Sequence, residues 1–220
     1  KTLFSVDGIA CEDTRKTGLL LREIQKRYPE FAAPKNGEKF QRMLSYYEEN
    51  EEKRIPEIMT ALENGLSVAL VSDAVTPLIS DPGYRLVREC VKKNIAVVSI
   101  PGASAGISAL TLSGFPTDKF VFFGYPPRKD GNRKTLFEHA LKAQKSVSAT
   151  MIFYEAPHRL GKTLTSMKDV FGDVQVALCR EMTKTYEEIL HGSLSEMIEI
   201  FKKREPKGEF CIVVSLKELG

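Results

Sequence analysis

The stretch from Leu66 to Gly83 most constrains what this chain can fold into. The apolar run from Leu66 to Val71, rich in branched residues, has the pattern of a strand buried on both faces, as in a parallel sheet. It breaks into small and turn-forming residues: Ser72, Asp73, Thr76, Pro77, Ser80, Asp81, Pro82 and Gly83. Helical spacing then resumes from Tyr84 to Lys93, with Leu86, Val87, Cys90 and Val91 on one face. Strand, long polar loop and helix in that order specify an α/β unit. In open α/β sheets, ligands bind outside the carboxyl ends of the strands. Connections of this type usually take about 2–6 residues. This one is longer and carries two carboxylates and three hydroxyls, which marks it as a binding loop rather than a plain connection.

The chain of 220 residues suits one large domain or two small ones, and its 42% apolar content can supply a core. Its 32 basic and 29 acidic side chains leave a net charge of only +3. Bulk charge therefore does not mark a nucleic-acid binder, although a local basic face is allowed. Cys11, Cys90, Cys179 and Cys211 are far apart and form no Cys-x-x-Cys or Cys/His cluster, so neither a zinc site nor a redox pair is expected. Three of them sit in or beside apolar runs, as buried thiols of a reducing compartment would. No apolar stretch is long enough to span a membrane and no signal peptide is visible, which leaves the cytoplasm as the default expectation.

Along the chain, Val6 to Cys11 reads as a short strand running into the charged cluster Glu12-Asp13-Thr14-Arg15-Lys16, with Thr17 capping a helix to about Tyr28 that has Leu20, Leu21 and Ile24 inside. The cluster Glu12 to Arg15 is either a helix entry with solvated charges or a second wall of the site. Pro29 to Gly37 reads as a loop, Glu38 to Asn50 has no clear pattern, and Arg54 to Asn64 reads as a helix closed by Gly65. Ile95 to Ile100 has the pattern of another buried strand, followed by the small-residue loop Pro101 to Gly106 and a helix to about Leu112. Small residues there allow either close approach of a ligand to the backbone or tight helix–sheet packing.

Ser113 to Asp118 is the expected boundary between two α/β domains, residues 1–114 and 115–220. In the second, strands are expected at Lys119–Gly124, Ser148–Tyr154, Val174–Cys179, Tyr186–His191 and Glu209–Ser215. Helices are expected from about Thr135 to Ala143, up to Phe171, and from Ser193, where Glu196 completes a capping box. Tyr125 to Lys134 reads as a basic loop. Glu155-Ala156-Pro157-His158-Arg159 and Arg180-Glu181-Met182-Thr183-Lys184 again place ionisable groups just past strands.

The segments Ala10 to Thr17, Ser72 to Gly83, Ile100 to Ala105, Phe153 to Arg159 and Cys179 to Lys184 stand in the order and spacing of one family. The chain resembles the ribosomal RNA small subunit methyltransferase I family of the tetrapyrrole methylase superfamily, over nearly its whole length. The resemblance implies an α/β, two-domain, class III methyltransferase fold with S-adenosylmethionine (AdoMet) in a cleft between the domains. It implies methylation of the ribose 2′-hydroxyl of a decoding-centre cytidine in 16S rRNA within the small ribosomal subunit, by a homodimer that needs no membrane.

On that basis the cofactor-binding candidates are Ser72, Asp73, Thr76, Pro77, Ser80, Asp81, Pro101, Gly102, Ser104, Ala105 and Tyr154. A hydroxyl attacking a sulfonium methyl in line needs alignment and a base. Glu155, His158, Asp13 and Lys184 are candidate bases, with Glu155 and His158 favoured because they follow a strand that would face the cleft. Arg15, Arg128, Lys129, Arg133, Lys134, Arg159, Arg180 and Lys184 are candidate RNA contacts, since phosphate contacts position RNA. No metal is needed. A tetrapyrrole methylase of the same superfamily and a catalytically silent RNA-binding relative remain as alternatives. Two departures bear on the cofactor. Val75 stands where the family usually has glycine, and family members begin with a strand, a turn and most of a helix ahead of the Val6 strand. Together they lead to an expectation of weak AdoMet binding with the fold kept.

Overall fold

A computed structural model describes residues 2–31, 42–144 and 146–216, which fall into two compact units, Lys1–Ala103 and Ser104–Gly220. The sequence suggested a boundary after Gly114. The chain divides earlier because the helix Ala105–Leu112 packs on strands of the second unit.

In the first unit β1 (Gly8–Cys11), β2 (Arg42–Ser45) and β3 (Val68–Val71) form a parallel sheet in the order β2-β1-β3. Gly8 is level with Arg42 on one side and with Val68 on the other. β1 is buried throughout, as expected of a strand with neighbours on both sides, whereas β3 is only half-buried. α1 (Thr14–Arg27), α2 (Glu51–Glu63) and α3 (Tyr84–Lys92) complete the unit. Ile58 and Met59 of α2 and Leu86 and Cys90 of α3 close over Ala10, Leu44 and Tyr46 in one apolar cluster.

Several expectations change here. α1 is capped by Asp13, whose carboxylate accepts from the Arg15 N–H, and not by Thr17, which is buried inside the helix; Leu20 faces solvent. β2 lies in the segment whose sequence had no clear pattern. Of the expected loop at 29–37, Pro29–Phe31 form a 3-10 turn, and the remainder lies outside the described residues. Residues 95–100 form no strand, and Val98 is 79% exposed. Branched residues favour a pleated surface, but a strand also needs a neighbour to complete its hydrogen bonds, and among the described residues none pairs with it.

The second unit contains a five-stranded mixed sheet in the order β4 (Phe120–Gly124), β5 (Thr150–Glu155), β8 (Phe210–Val214), β6 (Gln175–Arg180), β7 (Glu188–Ser193). β4 and β5 are parallel; the other neighbours are antiparallel. Period-two alternation sorts its side chains cleanly. Met151, Phe153, Val176, Leu178, Ile212 and Val214 meet α5 (Asp130–Gln144), α6 (Leu160–Phe171) and α7 (Leu194–Lys203). Ile152, Ala177, Cys179, Cys211 and Val213 meet α4 (Ala105–Leu112) on the opposite face. α7 starts with the expected capping box between Ser193 and Glu196. α5 begins at Asp130, so the end of the expected basic loop is the first turn of a helix. All four cysteines are buried free thiols, and burial pushes that of Cys179 up to about 11.

The turn from the central loop into α3 depends on Gly83. Its φ is +130°, and a Cβ there would stand 2.5 Å from Leu70 Cδ2 and 3.0 Å from Leu78 Cδ1. Gly65 also has positive φ, +82°, but a Cβ there would meet nothing within 4 Å. Gly83→Ala should therefore cost about 3 kcal/mol from backbone strain and overpacking together, and Gly65→Ala only about 1 kcal/mol from strain. Urea denaturation of the two variants measures the difference.

Candidate functional site

In the first unit, the polar ends of parallel strands are tied into one structure. Past β1, Asp13 caps α1, and the Arg15 side chain folds back on it: Nε lies 3.1 Å from Oδ1 and Nη2 2.9 Å from Oδ2. Past β3, the Asp73 N–H donates to Glu12 Oε2 at 3.2 Å, and Lys16 Nζ sits 2.6 Å from Asp73 Oδ2. This pair holds the Lys16 ammonium more firmly protonated than usual. The segment past β1 thus has two structural tasks: Asp13 and Arg15 serve the helix, while Glu12 and Lys16 fasten the loop. Glu12 belonged to the cluster that the sequence offered as a wall, but Lys16 did not; its place just past β1, next to β3, was the available signal.

The loop is fastened again three residues on, at Thr76. The N–H and the hydroxyl of Thr76 both donate to the Ala103 carbonyl, at 2.9 and 3.0 Å. A Cβ on Gly102 would lie 3.3 Å from Thr76 Oγ1, so the small residue permits this approach. The Ser72 hydroxyl donates to the Val75 carbonyl and closes a tight turn. Leu78 and Ser80 hold φ of 74° and 61°, a region that non-glycine residues visit rarely. Val75 does not have positive φ, so its branched side chain imposes no left-handed strain where the family has glycine. Asp73, Ser80, Pro101 and Gly102 are exposed; Ser72, Thr76, Pro77 and Asp81 are half-buried.

The remaining candidates belong to the second unit. Ser104 precedes α4 without a side-chain cap, and Ala105 opens the helix. The Gly106 N–H donates to the Tyr154 hydroxyl at 3.0 Å, which fixes Tyr154 between Phe122 and Tyr125, with ring centroids 4.8 and 5.7 Å away.

Glu155 has 0% exposure, and its oxygens are already engaged. It accepts from the Ala156 N–H at 2.9 Å and from the Thr163 hydroxyl, and Arg159 Nε lies 3.2 Å from Oε1. Arg159 in turn donates to the Pro126 carbonyl. Glu155 and Arg159 therefore hold a turn together, a structural task distinct from the roles of base and phosphate contact expected of them. Asp13 is also unsuited to general-base work, because the Arg15 side chain and N–H bring its carboxyl down to about 2. His158, in the turn Pro157–Arg159, is exposed.

Arg133 is 3% exposed, not a surface phosphate contact. Its guanidinium donates to Ser166 Oγ at 3.1 Å, to the Arg128 carbonyl at 3.2 Å and to Asp130 Oδ1 at 2.5 Å. Lys134 pairs with Asp169 at 2.9 Å. Arg180 donates to the Lys207 carbonyl at 2.6 Å and faces Glu188; Lys184 bridges Glu181 and Glu209 at 3.2 and 3.1 Å. Arg128 and Lys129 are exposed. Among the described residues, no group of three or more His, Cys, Asp or Glu side chains is placed to hold a metal ion, and no helix is long and apolar enough to cross a membrane.

Two consequences can be measured. Asp13 titrates below its ordinary 3.8 in the folded state, so its stabilisation is present above about pH 4 and is lost as pH falls toward 2. Asp13→Asn keeps a capping side chain without the titration and should flatten stability against pH across that window, followed by circular dichroism. Glu155→Gln should lose about 3 kcal/mol of stability, because it leaves the Arg159 guanidinium uncompensated in a largely buried site. A Glu155→Gln protein that is inactive at undiminished stability would return Glu155 to the role of base.

The model of the tetrapyrrole (corrin/porphyrin) methylase family matches residues 1–198. A protein of Thermotoga maritima named ribosomal RNA small subunit methyltransferase I is 43% identical over 99% of this chain and 90% of its own length. One of the same name from Halalkalibacterium halodurans is 44% identical over 97% of this chain and 68% of its own. Among solved structures, a diphthine synthase aligns with a TM-score of 0.64 at 15% identity, over all of this chain and 83% of that one. A cobalt-precorrin-4 methyltransferase of cobalamin biosynthesis aligns at 0.59 and 12%, over 98% and 87%. At these identities the two structures speak for the fold alone. The sequence matches, with the strand-end loops in the expected order, place this chain in the ribosomal RNA small subunit methyltransferase I family of tetrapyrrole methylases, and it is a methyltransferase.

Proposed function

We propose that the protein transfers the methyl group of AdoMet to the ribose 2′-hydroxyl of a decoding-centre cytidine in 16S rRNA of the small ribosomal subunit, acting as a homodimer. The observation that carries this reading is the fastening of the 72–83 loop to both the Glu12–Lys16 cluster and Ala103. It makes a cradle of carboxylates, hydroxyls and close-set backbone at strand ends, where α/β folds bind ligands. The donor set fits AdoMet: carboxylates for its amino and ribose groups, and small residues at 101–103 for close approach. Bound there, AdoMet would supply an electrophilic methyl on sulfur. Ser72, Asp73, Thr76 and Ser80 are the proposed holding residues in this unit. The parts of Ser104, Ala105 and Tyr154 rest on the family resemblance.

In the reaction an O–C bond forms as the S–C bond breaks, S-adenosylhomocysteine leaves, and the hydroxyl proton must be taken up. His158 is the proposed acceptor, since it is exposed and the competing carboxylates are committed elsewhere. Arg15, Lys129, Arg180 and Lys184 are accessible enough to meet phosphate. The ion pairs of Arg15 and Lys184 reach the surface, where such pairs are worth little and exchange partners readily. A tetrapyrrole substrate is the second reading. The 43–44% identity to rRNA methyltransferases favours RNA over it.

Labelled AdoMet given to unmodified small ribosomal subunits should yield label in 16S rRNA at a dinucleotide resistant to alkaline cleavage, the mark of a blocked 2′-hydroxyl. Alkali-labile label, or transfer to a tetrapyrrole and not to subunits, would overturn the reading. Asp73→Ala should weaken AdoMet binding about tenfold or more by calorimetry, with the melting temperature of the unliganded protein nearly unchanged. His158→Ala should lower kcat by about 10²- to 10⁴-fold at unaltered AdoMet affinity.

A further inference from the structure

The second unit contains an open cavity of about 610 Å³ along α5 and α6, lined by Arg128, Lys134, Gly161, Lys162, Thr165 and the two aspartates Asp130 and Asp169, with the buried Arg133 beside them. Four cations against two carboxylates leave its wall with an excess of two positive charges. The distribution matters more than the sum. Asp130 is taken by Arg133 at 2.5 Å and Asp169 by Lys134 at 2.9 Å, so both carboxylates are neutralised in place. Arg128 and Lys162 form no ion pair among the described residues, and both are exposed. The unspent positive charge therefore comes from two elements, one cation ahead of α5 and one in the first turn of α6. Three features add to this. The first turn of α6 contains no acidic residue to compete for an anion at its positive end. Gly161 leaves that turn open, since a Cβ there would meet nothing within 4 Å. Arg133 fastens the Arg128 carbonyl to Ser166 of α6 and so fixes the mouth of the cavity.

We infer that this cavity seats a phosphodiester group of the RNA backbone, with Arg128 and Lys162 as its direct contacts and Arg133 and Lys134 as positioning residues behind them. This deepens the rRNA reading and rests on it. The space is large for a lone phosphate and suits one carried by a nucleotide. Lys162 lies outside the basic run that the sequence displays; only the fold brings it to face Arg128.

The experiment is binding of the full chain to 16S rRNA over a series of salt concentrations. Arg128→Ala and Lys162→Ala should each lower the slope of log affinity against log salt by about 0.7–0.9. Lys162→Arg should restore the wild-type slope. Thr165→Glu, which places a carboxylate at the exposed wall, should weaken binding more than either alanine variant. Lys142→Ala, an exposed lysine of α5 away from the cavity, should leave the slope unchanged. Both contact residues are exposed and unpaired, so their variants should keep the wild-type melting temperature. Slopes unchanged in Arg128→Ala and Lys162→Ala, or lowered equally in Lys142→Ala, would overturn the inference. Methyl transfer by the wild-type chain, measured in the same preparations, separates this from the enzyme reading. Transfer with unchanged slopes removes the cavity alone, and lowered slopes without transfer keep the phosphate seat and remove the reaction.

Discussion

The second unit is arranged around a carboxylate with no access to water. An ion buried that completely is tolerated only when its oxygens are met by donors and its charge by a cation. Glu155 satisfies this with its own chain neighbour at Ala156, with Thr163 from α6 and with Arg159. Each partner constrains something further. Thr163 sets the start of α6 against the end of β5. Arg159 reaches the Pro126 carbonyl and so fixes the chain that leads into α5. Gly161 and Lys162 at the start of α6 and Arg128 ahead of α5 thus lie on segments that the same carboxylate holds. A residue with the composition of a catalytic acid thus acts at one remove, through the shape of the turn it stabilises.

This is also why composition misleads at such positions. Glu, His and Arg just past a strand have the same appearance in sequence whether they point to solvent or into the chain. Burial separates them: Glu155 is enclosed and Arg159 largely so, while His158 between them is exposed. The basic stretch near residue 130 divides in the same way. Helix α5 begins at Asp130, and 3.6-residue periodicity turns Arg133 inward while Lys134 stays at the surface. The sequence alone could not supply that phase, because the Pro/Gly content of the stretch masks where the helix starts.

What was legible followed from periodicity and caps. The alternation in β5, β6 and β8 assigns residues to the two sheet faces, and the Ser193–Glu196 box starts α7 where expected. The order of strand-end loops carried the family. What was not legible depended on partners. The 95–100 run has the residues of a strand and lacks a neighbour among the described residues, whereas Arg42–Ser45 looks unpromising and pairs along β1 because β1 offers it an open ladder. Asp13 displaced Thr17 as a helix cap because a carboxylate and an arginine two residues on can satisfy the first turn together.

The central loop shows how a departure from family pattern is absorbed. Glycine is required where φ must be positive or where something must come within reach of a missing Cβ. At Val75 the first need is absent. The Ser72 hydroxyl bonds to the Val75 carbonyl, and the left-handed residues fall later, at Leu78 and Ser80. On either side of Val75 the chain is held, at Asp73 by Glu12 and Lys16 and at Thr76 by Ala103, all outside the loop itself. Its backbone path is therefore set by its anchors, and Val75 can act only through the volume of its side chain. Any effect of that residue should then scale with side-chain size rather than with loss of backbone freedom, so an alanine at 75 would behave more like glycine than like valine.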